Sequence, residues 1–304
     1  MKESKWIWNN GKFVLWKNAT THVMSHGLHY GTGVFEGIRA YNGSIFRMSD
    51  HYKRFLNSAK VAGIKIPPEY QPSLSKITKD LIYRNRLKDC YIRPLAFIGE
   101  GSIGINPGSN KTNIIIAAFE WGTYLGEDAM LSGIKMKISS FKRMSVNSFM
   151  TKSKICGNYI NSVLAKREAL DQGYDEALLL DDNGYVSEGT GENIFIVRDG
   201  EIKTTPVTSI LEGITRDCVF KIAKDNNIPI KEQKFTRDEL YVADEVFLSG
   251  TAAEITPVKE VDNREIGSGR PGETTKLIQK EYSEMVIGQK DKYKDWLEPV
   301  YGLD

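Results

Sequence analysis

Hydrophobic and polar positions follow both strand and helix spacing in the first 121 residues. "WIWNNGKFVLW" predicts two short strands around a turn at Asn10-Gly11, a dipeptide typical of tight hairpins. "SDHYKRFLNSAKVAGI" has apolar residues at helical spacing, which predicts a helix from Ser49 or Asp50 to Gly63. "SLSKITKDLIYRNRLK" predicts a second helix, and "CYIRPLAFIG" and "TNIIIAAFEW" predict strands.

A break in this pattern divides the chain. Residues 122–133, "GTYLGEDAMLSG", carry three glycines and no clear period, which indicates an interdomain linker. Beyond them, strands such as "EVFLSGTAAEITPV" alternate with helices such as "EGITRDCVFKIAKDNNI" and the final "PGETTKLIQKEYSEMVI". The predicted fold class is α/β, in the broad sense that includes α+β. A small N-terminal α/β domain (1–121) precedes a larger, strand-rich C-terminal domain (134–304).

Composition excludes several classes of protein. Hydrophobic residues make up 40% and charged residues 26%, as in ordinary soluble globular proteins. The 41 basic and 39 acidic residues are well mixed, so no basic stripe suggests nucleic-acid binding. The apolar runs are too short to cross a membrane, and the N-terminus lacks the apolar core of a signal peptide. Three widely spaced cysteines form no disulfide framework, so we expect a cytoplasmic protein.

Two motifs suggest chemistry that their context does not support. "GEGSIG" matches the dinucleotide fingerprint, but the turn-rich "INPGSN" follows it instead of a helix, so we expect a loop. "HVMSHGLHYG" holds His22, His26 and His29, and two of them lie four residues apart, as zinc ligands on a helix can. Gly27 and Gly31 disfavour a helix, so structural or substrate-pocket histidines are favoured over a metal site. A zinc-dependent hydrolase using these histidines is kept as a distant alternative.

Polar residues and glycines gather where strands end and helices begin. "SEGTGENIF" places Glu188 among small residues, "EGITRD" places Thr215 at a helix start, and "SGTAAE" places Thr251 in a small-residue turn. A helix N-terminus binds phosphate, and such turns can hold an anion. "TKSKICGNYINS" adds Lys152 and Lys154. A lysine, an acid, a phosphate cradle and a carboxylate cradle are the parts that bind pyridoxal phosphate and an amino acid.

Motif order strengthens this interpretation. "HVMSHGLHYGTGVFEGIRAY", "YIRPLAFIGEGSIGINP", "SEGTGENIF", "EGITRD" and "SGTAAEITPV" closely resemble branched-chain amino acid aminotransferases of the class IV pyridoxal phosphate family. The resemblance covers nearly the whole chain. It implies the two-domain class IV fold with pyridoxal 5′-phosphate in the interdomain cleft, no metal, and a homodimer or higher homo-oligomer. It also implies ping-pong transamination of L-leucine, L-isoleucine and L-valine with 2-oxoglutarate, which gives branched 2-oxo acids and L-glutamate.

The resemblance assigns roles to cofactor-binding residues. Lys154 corresponds to the lysine that binds the cofactor covalently, because the "GNY" tyrosine, Tyr159, lies five residues later; Lys152 is read as a solvated neighbour. Tyr159 would bind the phenolic oxygen, and Glu188 would pair with the pyridine nitrogen. The residues expected around the phosphate are Arg54, Ile214, Thr215 and Thr251.

The resemblance also implies a substrate pocket. Tyr91, Thr251 and the Ala252 N–H would hold the α-carboxylate, while Arg93 and Tyr30 would bind the distal carboxylate of glutamate, Tyr30 from the partner subunit. The walls of the aliphatic pocket would be Phe35, Trp121 and Tyr124. The nearer alternatives are other class IV enzymes, a D-amino acid aminotransferase or an aminodeoxychorismate lyase. "YIRP" and "HVMSHGLHYG" argue against both.

Overall fold

The computed structural model describes residues 1–122 and 124–302, which contain both strands and helices. The strands are β1 (Trp6–Asn9), β2 (Lys12–Leu15), β3 (Gly33–Phe35), β4 (Ile38–Tyr41), β5 (Ser44–Phe46), β6 (Cys90–Ile98), β7 (Thr112–Phe119), β8 (Ile134–Ile138), β9 (Glu176–Leu180), β10 (Val186–Gly189), β11 (Asn193–Arg198), β12 (Glu201–Thr204), β13 (Ile230–Glu232), β14 (Glu245–Gly250), β15 (Glu254–Val261), β16 (Arg264–Glu265) and β17 (Leu297–Pro299). The helices are α1 (His26–Tyr30), α2 (Met48–Val61), α3 (Leu74–Asn85), α4 (Glu127–Ser132), α5 (Tyr159–Asp171), α6 (Ile214–Asp225), α7 (Arg237–Tyr241) and α8 (Glu273–Val286). None of the helices in these ranges is both long and apolar enough to cross a membrane.

The first of two compact units comprises residues 1–122, 153–158 and 286–302. Its sheet has the order β17-β5-β4-β6-β7-β1-β2, and β3 pairs with β6 beyond the end of β4. The predicted hairpin is present, with Asn10 and Gly11 both at positive φ in a turn that suits the twist of the strands. Helices α2 and α3 bury Phe55 and Leu81 in the core of this unit. The sheet and both helices therefore share one apolar core.

Helix α2 begins slightly earlier than predicted. Its first residue is Met48 rather than Ser49 or Asp50, and Arg47 precedes it in the left-handed region at φ 50°. Met48 is fully buried, so extending the helix to it places an apolar side chain in the core. Arg47 is held in turn by an ion pair of 2.6 Å from its Nε to Asp50.

The second unit comprises residues 124–152 and 159–285. Its sheet has the order β10-β9-β8-β15-β14-β11-β12-β13, with β16 paired to β15. The strands β8, β9 and β15 run parallel where they meet, and the other pairs are antiparallel except β12 with β13. Phe195 and Phe247 stack in its interior with ring centroids 4.8 Å apart. The mixture of hairpins and crossovers matches the broad α/β class predicted.

The units do not follow the predicted boundaries of 1–121, 122–133 and 134–304. Part of the predicted linker forms α4, which ends at Ser132. The C-terminal residues join the first unit, because β17 pairs with β5. Residues 153–158 also join it, because Ile155 forms a bridge with Val34. Lys154 therefore belongs to the first unit, although the predicted C-terminal domain included it.

Candidate active site

Lys154 is held by its main chain in the first unit. Its carbonyl accepts a hydrogen bond of 3.1 Å from the N–H of Phe35, and its own N–H donates to Ser58 Oγ at 3.0 Å. Its ammonium lies 4.8 Å from the centroid of the Phe35 ring. Lys152, in contrast, is exposed, in keeping with its reading as a solvated neighbour. The backbone thus fixes where the Lys154 side chain starts.

Strand β6 presents Tyr91 and Arg93 from the same face, because side chains two residues apart point the same way. The Arg93 guanidinium lies 4.8 Å from the Phe35 ring and 5.3 Å from the Tyr91 ring. Its Nε is buried without a hydrogen-bond partner in the described structure. Trp121 packs edge-on against Tyr91, with centroids 4.8 Å apart. A buried guanidinium nitrogen among aromatic rings is suited to a ligand carboxylate.

A buried carboxylate that the sequence analysis missed anchors Arg54. Glu36 lies between β3 and β4, opposite Pro94, and is fully buried. Arg54 binds it through both edge atoms, Nε to Oε1 at 2.7 Å and Nη2 to Oε2 at 3.0 Å. His51 Nδ1 lies 2.8 Å from Oε2. This side-on pair uses one of the two N–H groups of Nη2. The other edge of the guanidinium, formed by Nη1 and the second N–H of Nη2, is directed away from Glu36.

Burial and neighbouring charges shift the pKa values of Glu36 and His51. Burial alone would raise the pKa of Glu36, but the charge of Arg54 and the hydrogen bond from His51 bring that pKa far below its usual range. Burial lowers the pKa of His51, against the opposing effect of Glu36 and with help from the charges of Arg54 and Lys154. Glu36 is therefore an anion at neutral pH, and it holds Arg54 in one orientation.

In the second unit, Glu188 is buried between an ion-pair partner and two hydrogen-bond donors. Arg143 Nε lies 2.6 Å from its Oε1. The side-chain amide of Asn193 and the N–H of Leu211 donate to its Oε2 at 3.3 and 3.2 Å. No pattern in the sequence singled out Arg143, which lies 45 residues from its partner along the chain. These contacts fix the plane of the carboxylate.

Helix α6 begins beside this carboxylate. Gly213 caps it without a side-chain hydrogen bond, and Ile214 and Thr215 form its first turn, whose N–H groups point out of the N-terminal end of the helix. Arg216 anchors the helix by donating to the carbonyl of Thr205 at 3.0 Å and pairing with Glu232 at 2.9 Å. The helix start is thus a fixed anion-binding geometry.

Thr251 and Ala252 occupy the turn of the β14–β15 hairpin. Gly250 pairs with Glu254, which adopts φ 52°, so three residues form the turn. An added Cβ on Gly250 would lie 3.5 Å from the Gly191 carbonyl oxygen, which shows that this turn adjoins the loop after Glu188. The turn that holds Thr251 and Ala252 therefore lies beside the loop that follows Glu188.

Three other predicted site residues, all tyrosines, each contact a different part of the structure. Tyr30 is exposed, and its hydroxyl donates to the carbonyl of Ile103 at 2.9 Å, so its role in a partner's pocket stays a prediction. Tyr124 lies under Lys166, whose Nζ is 5.6 Å from the ring centroid. Tyr159 is the half-buried first residue of α5.

The histidines make internal contacts. His26 is buried in α1, with Nδ1 2.7 Å from Thr32 Oγ1 and Nε2 2.9 Å from the carbonyl of Gly104. Gly27 and Gly31 were expected to disfavour a helix, but the short helix α1 runs through Gly27 and is capped by Gly31 at φ 66°. Among the residues that the structure describes, no three His, Cys, Asp or Glu side chains group to hold a metal. The zinc alternative thus gains no support from His26.

Two buried carboxylates lie close to the loop that follows Glu188. Glu176 accepts from Lys166 Nζ at 2.7 Å and from the Thr190 hydroxyl at 2.7 Å. Glu192 accepts from the N–H of Gly191 at 3.1 Å. Burial and then the charge of Glu176 raise the pKa of Glu192 to about 8. One member of the pair therefore carries a proton at neutral pH.

Comparisons with known proteins agree with one another. The family described as Amino-transferase class IV matches residues 33–261. A branched-chain-amino-acid aminotransferase of Pseudomonas aeruginosa is 46% identical over 95% of each chain. The crystal structure of the Escherichia coli branched-chain amino acid aminotransferase is similar with a TM-score of 0.95 and 46% identity, covering 98% of this chain and 100% of that one. Another solved branched-chain amino acid aminotransferase, crystallised with pyridoxamine 5′-phosphate, gives a TM-score of 0.95 and 48% identity, covering 99% of this chain and 100% of that one.

Replacement of Glu192 by Gln should remove a pH dependence of stability. The folded protein has a pKa of about 8 here against an ordinary 4.5, so it holds a proton that the unfolded chain loses. The unfolding free energy therefore falls as pH rises from about 5 to about 8. The unfolding free energy of Glu192→Gln should rise relative to that of the wild type by about 1 kcal/mol or more across this window. Urea denaturation at each pH measures this difference.

Glu168→Gln is the control. Burial would raise the pKa of Glu168, but hydrogen bonds from Ser139 and Ser140 lower it. Its contribution to the unfolding free energy is therefore complete above pH 4.5 and is lost only in acid. Its difference from wild type should stay level between about pH 5 and about pH 8. A level difference for Glu192→Gln as well would contradict the prediction.

Proposed function

Since this chain belongs to the class IV aminotransferase family, we propose that it transfers amino groups from L-leucine, L-isoleucine and L-valine to 2-oxoglutarate with pyridoxal 5′-phosphate. The observation that carries the proposal is the placement of Lys154 against Phe35, which also contacts Arg93. An amine, an aromatic wall and a cation that can bind a second carboxylate are thus side by side. The branched-chain specificity of relatives 46% identical supports the choice of substrate.

The donor sets suit this cofactor. Lys154 would bind it covalently, and Tyr159 would donate to its phenolic oxygen. The outward edge of Arg54, the start of α6 at Ile214 and Thr215, and the hydroxyl of Thr251 would hold the phosphate. A Cβ on Gly213 would lie 2.1 Å from Asn193 Oδ1, so the residue before this helix start must be glycine. Glu188, oriented by its donors, would pair with the pyridine nitrogen.

When bound, the cofactor supplies a conjugated ring that accepts electrons from the substrate's α-carbon. The work of the chain is then proton transfer and orientation. Once the substrate's amino group had displaced it from the cofactor, Lys154 Nζ would be a free amine, able to take the proton from the α-carbon and return one to the cofactor carbon that receives the nitrogen. Tyr91, Thr251 and the N–H of Ala252 hold the α-carboxylate during this transfer. The same steps in reverse, with 2-oxoglutarate, complete a ping-pong cycle that releases L-glutamate.

One pocket must accept both an aliphatic side chain and a carboxylate. Phe35, Trp121 and Tyr124 supply apolar walls for the first. Arg93 pairs with the second. When the substrate is aliphatic, an unpaired buried cation would be costly, but the faces of Phe35 and Tyr91 stabilise the guanidinium. The aromatic rings thus serve both substrates.

Replacement of Lys154 by Ala should abolish turnover, because the α-carbon then has no base. We expect a loss of at least about a thousandfold, with thermal unfolding little changed. The purified wild-type protein should be yellow, its visible absorption should change on adding L-leucine, and borohydride reduction should fix the cofactor to the peptide that contains Lys154.

Lys152→Ala is the matched control and should keep wild-type activity. Near-normal turnover of L-leucine by Lys154→Ala would disprove the assignment. A spectrum that responds to D-alanine and not to L-leucine would favour the D-amino acid alternative.

Replacement of Arg93 by Met should separate the two half-reactions. Met keeps the bulk but removes the charge, so the half-reaction with L-glutamate should slow by about a hundredfold. The half-reaction with L-leucine should change by less than about tenfold, because it needs no second cation. Stopped-flow absorption measures each half-reaction alone.

Arg84→Met is the control, since Arg84 also lies over a phenylalanine, 4.4 Å from the Phe13 ring, but on the exposed face of α3. It should leave both half-reactions unchanged. Equal losses for L-glutamate and L-leucine in Arg93→Met would show that Arg93 does not select the distal carboxylate.

A homodimer in which Tyr30 serves the partner's pocket belongs to the same proposal. Around Tyr30, the side chains of Val23, Leu28 and Ile103 are exposed and apolar, as expected of a surface that a second copy covers. A mixed dimer of Lys154→Ala and Tyr30→Phe chains tests this. Action across the dimer leaves one intact site, so about half of the wild-type amplitude should appear at the wild-type rate of the glutamate half-reaction. Recovery only to the level of Tyr30→Phe would place Tyr30 in its own subunit's site.

A further inference from the structure

Asn193 connects two parts of the candidate cofactor site in the second unit. It is the first residue of β11, it is buried, and its backbone is paired opposite Ser249 of β14. Its Nδ2 donates to Glu188 Oε2 at 3.3 Å and to the carbonyl of Leu211 at 2.9 Å. The N–H of Leu211 donates to the same Glu188 oxygen at 3.2 Å. One amide therefore touches both the carboxylate and the segment that leads into α6.

The other end of the amide meets the helix cap. A Cβ added to Gly213 would lie 2.1 Å from Asn193 Oδ1 and 3.2 Å from the Cβ of Arg216. Gly213 has an ordinary φ of −74°, so the requirement for glycine is one of space and not of backbone conformation. The amide of Asn193 is thus wedged between Glu188 and the residue immediately before Ile214. Neither neighbour can shift far without displacing it.

From this geometry we propose that Asn193 is a positioning residue that holds Glu188 and the start of α6 at a fixed separation. The inference rests on the proposed function, in which Glu188 meets the pyridine nitrogen and α6 the phosphate. These two groups lie on different parts of one rigid ring system. A protein that binds both at once gains only if its own two contact points are correctly spaced beforehand. Asn193 supplies that spacing.

Only an amide meets the chemical requirement at this position. Its two N–H groups can donate to an anionic carboxylate and a carbonyl together, and its oxygen faces the cap. Aspartate would turn acceptors toward the Glu188 carboxylate, and leucine would leave the buried carbonyl of Leu211 without this donor. Arg143 pairs with the opposite oxygen of Glu188, so it orients the carboxylate from the side away from Asn193.

The test measures binding of three ligands to the full-length protein freed of cofactor. They are pyridoxal 5′-phosphate, pyridoxal, which lacks the phosphate, and 1-deazapyridoxal 5′-phosphate, in which CH replaces the ring nitrogen. Asn193→Leu should weaken the binding of pyridoxal 5′-phosphate by about tenfold or more, as expected for the loss of hydrogen bonds to a charged group. Each analogue makes only one of the two contacts, so it can adjust its position to that contact whatever the spacing. The binding of each analogue should therefore weaken by less than about threefold.

Two further variants separate positioning from simple destabilisation. Asn193→Ser keeps a donor but is too short to reach both partners, so it should show the same ligand pattern in a better-folded protein. Asn226→Leu removes an amide-to-carbonyl bond of 2.9 Å at the far end of the same helix and should leave all three affinities unchanged. Melting temperatures of every variant accompany the titrations.

The outcomes are distinct. Selective loss of pyridoxal 5′-phosphate binding in both Asn193 variants supports the proposal. Equal weakening of all three ligands, or no weakening, overturns it and leaves Asn193 a structural residue. If the wild-type protein itself binds no pyridoxal 5′-phosphate, the proposed function fails and this inference fails with it.

Discussion

The pairing of residues 153–158 with β3 is the constraint on which the rest of the candidate site depends. The N–H of Gly157 donates to the carbonyl of Gly31 at 3.0 Å, and a Cβ on Gly31 would lie 2.6 Å from the Gly157 Cα. The two backbones can approach this closely because position 31 is glycine, which has no Cβ and adopts φ 66°. This approach, with the Val34–Ile155 bridge, secures Lys154 within the first unit although the chain before and after it belongs to the second.

Charge pairing follows from burial. Each unit encloses carboxylates that would be costly without a partner, and the cations around them also orient functional groups. Glu36 orients Arg54, and Arg143 orients Glu188. Lys166 binds Glu176 rather than Glu192, and protonation of Glu192 resolves the conflict between the two carboxylates. Stability and orientation are thus produced by the same contacts, so a substitution in this network affects both.

Local elements could be predicted from the sequence because their signals are local. Asn10-Gly11 specified its turn, and the apolar spacing around Phe55 specified α2 to within two residues of its start. The class IV resemblance, which is a property of motif order, was confirmed by the family match and by solved structures. Glu36, Arg143 and the return of Lys154 to the first unit could not be predicted in this way. Each depends on contacts between residues far apart along the chain, and such contacts leave no periodic trace.

The two kinds of polar residue in the candidate site differ in what their neighbours allow. Glu188 and Arg54 meet partners that fix them before any ligand arrives, which lowers the entropy lost on binding a rigid cofactor. Arg93 instead rests on aromatic faces, with a long hydrogen bond of 3.4 Å from Nη2 to the Tyr91 hydroxyl and with Nε lacking a hydrogen bond in the described structure. Aromatic faces attract a cation from several directions, so they stabilise the guanidinium without fixing its hydrogen bonds. Under the proposed function, the rigid partners would suit a cofactor that stays the same throughout the cycle, and the aromatic faces would suit a substrate side chain that changes between the two half-reactions.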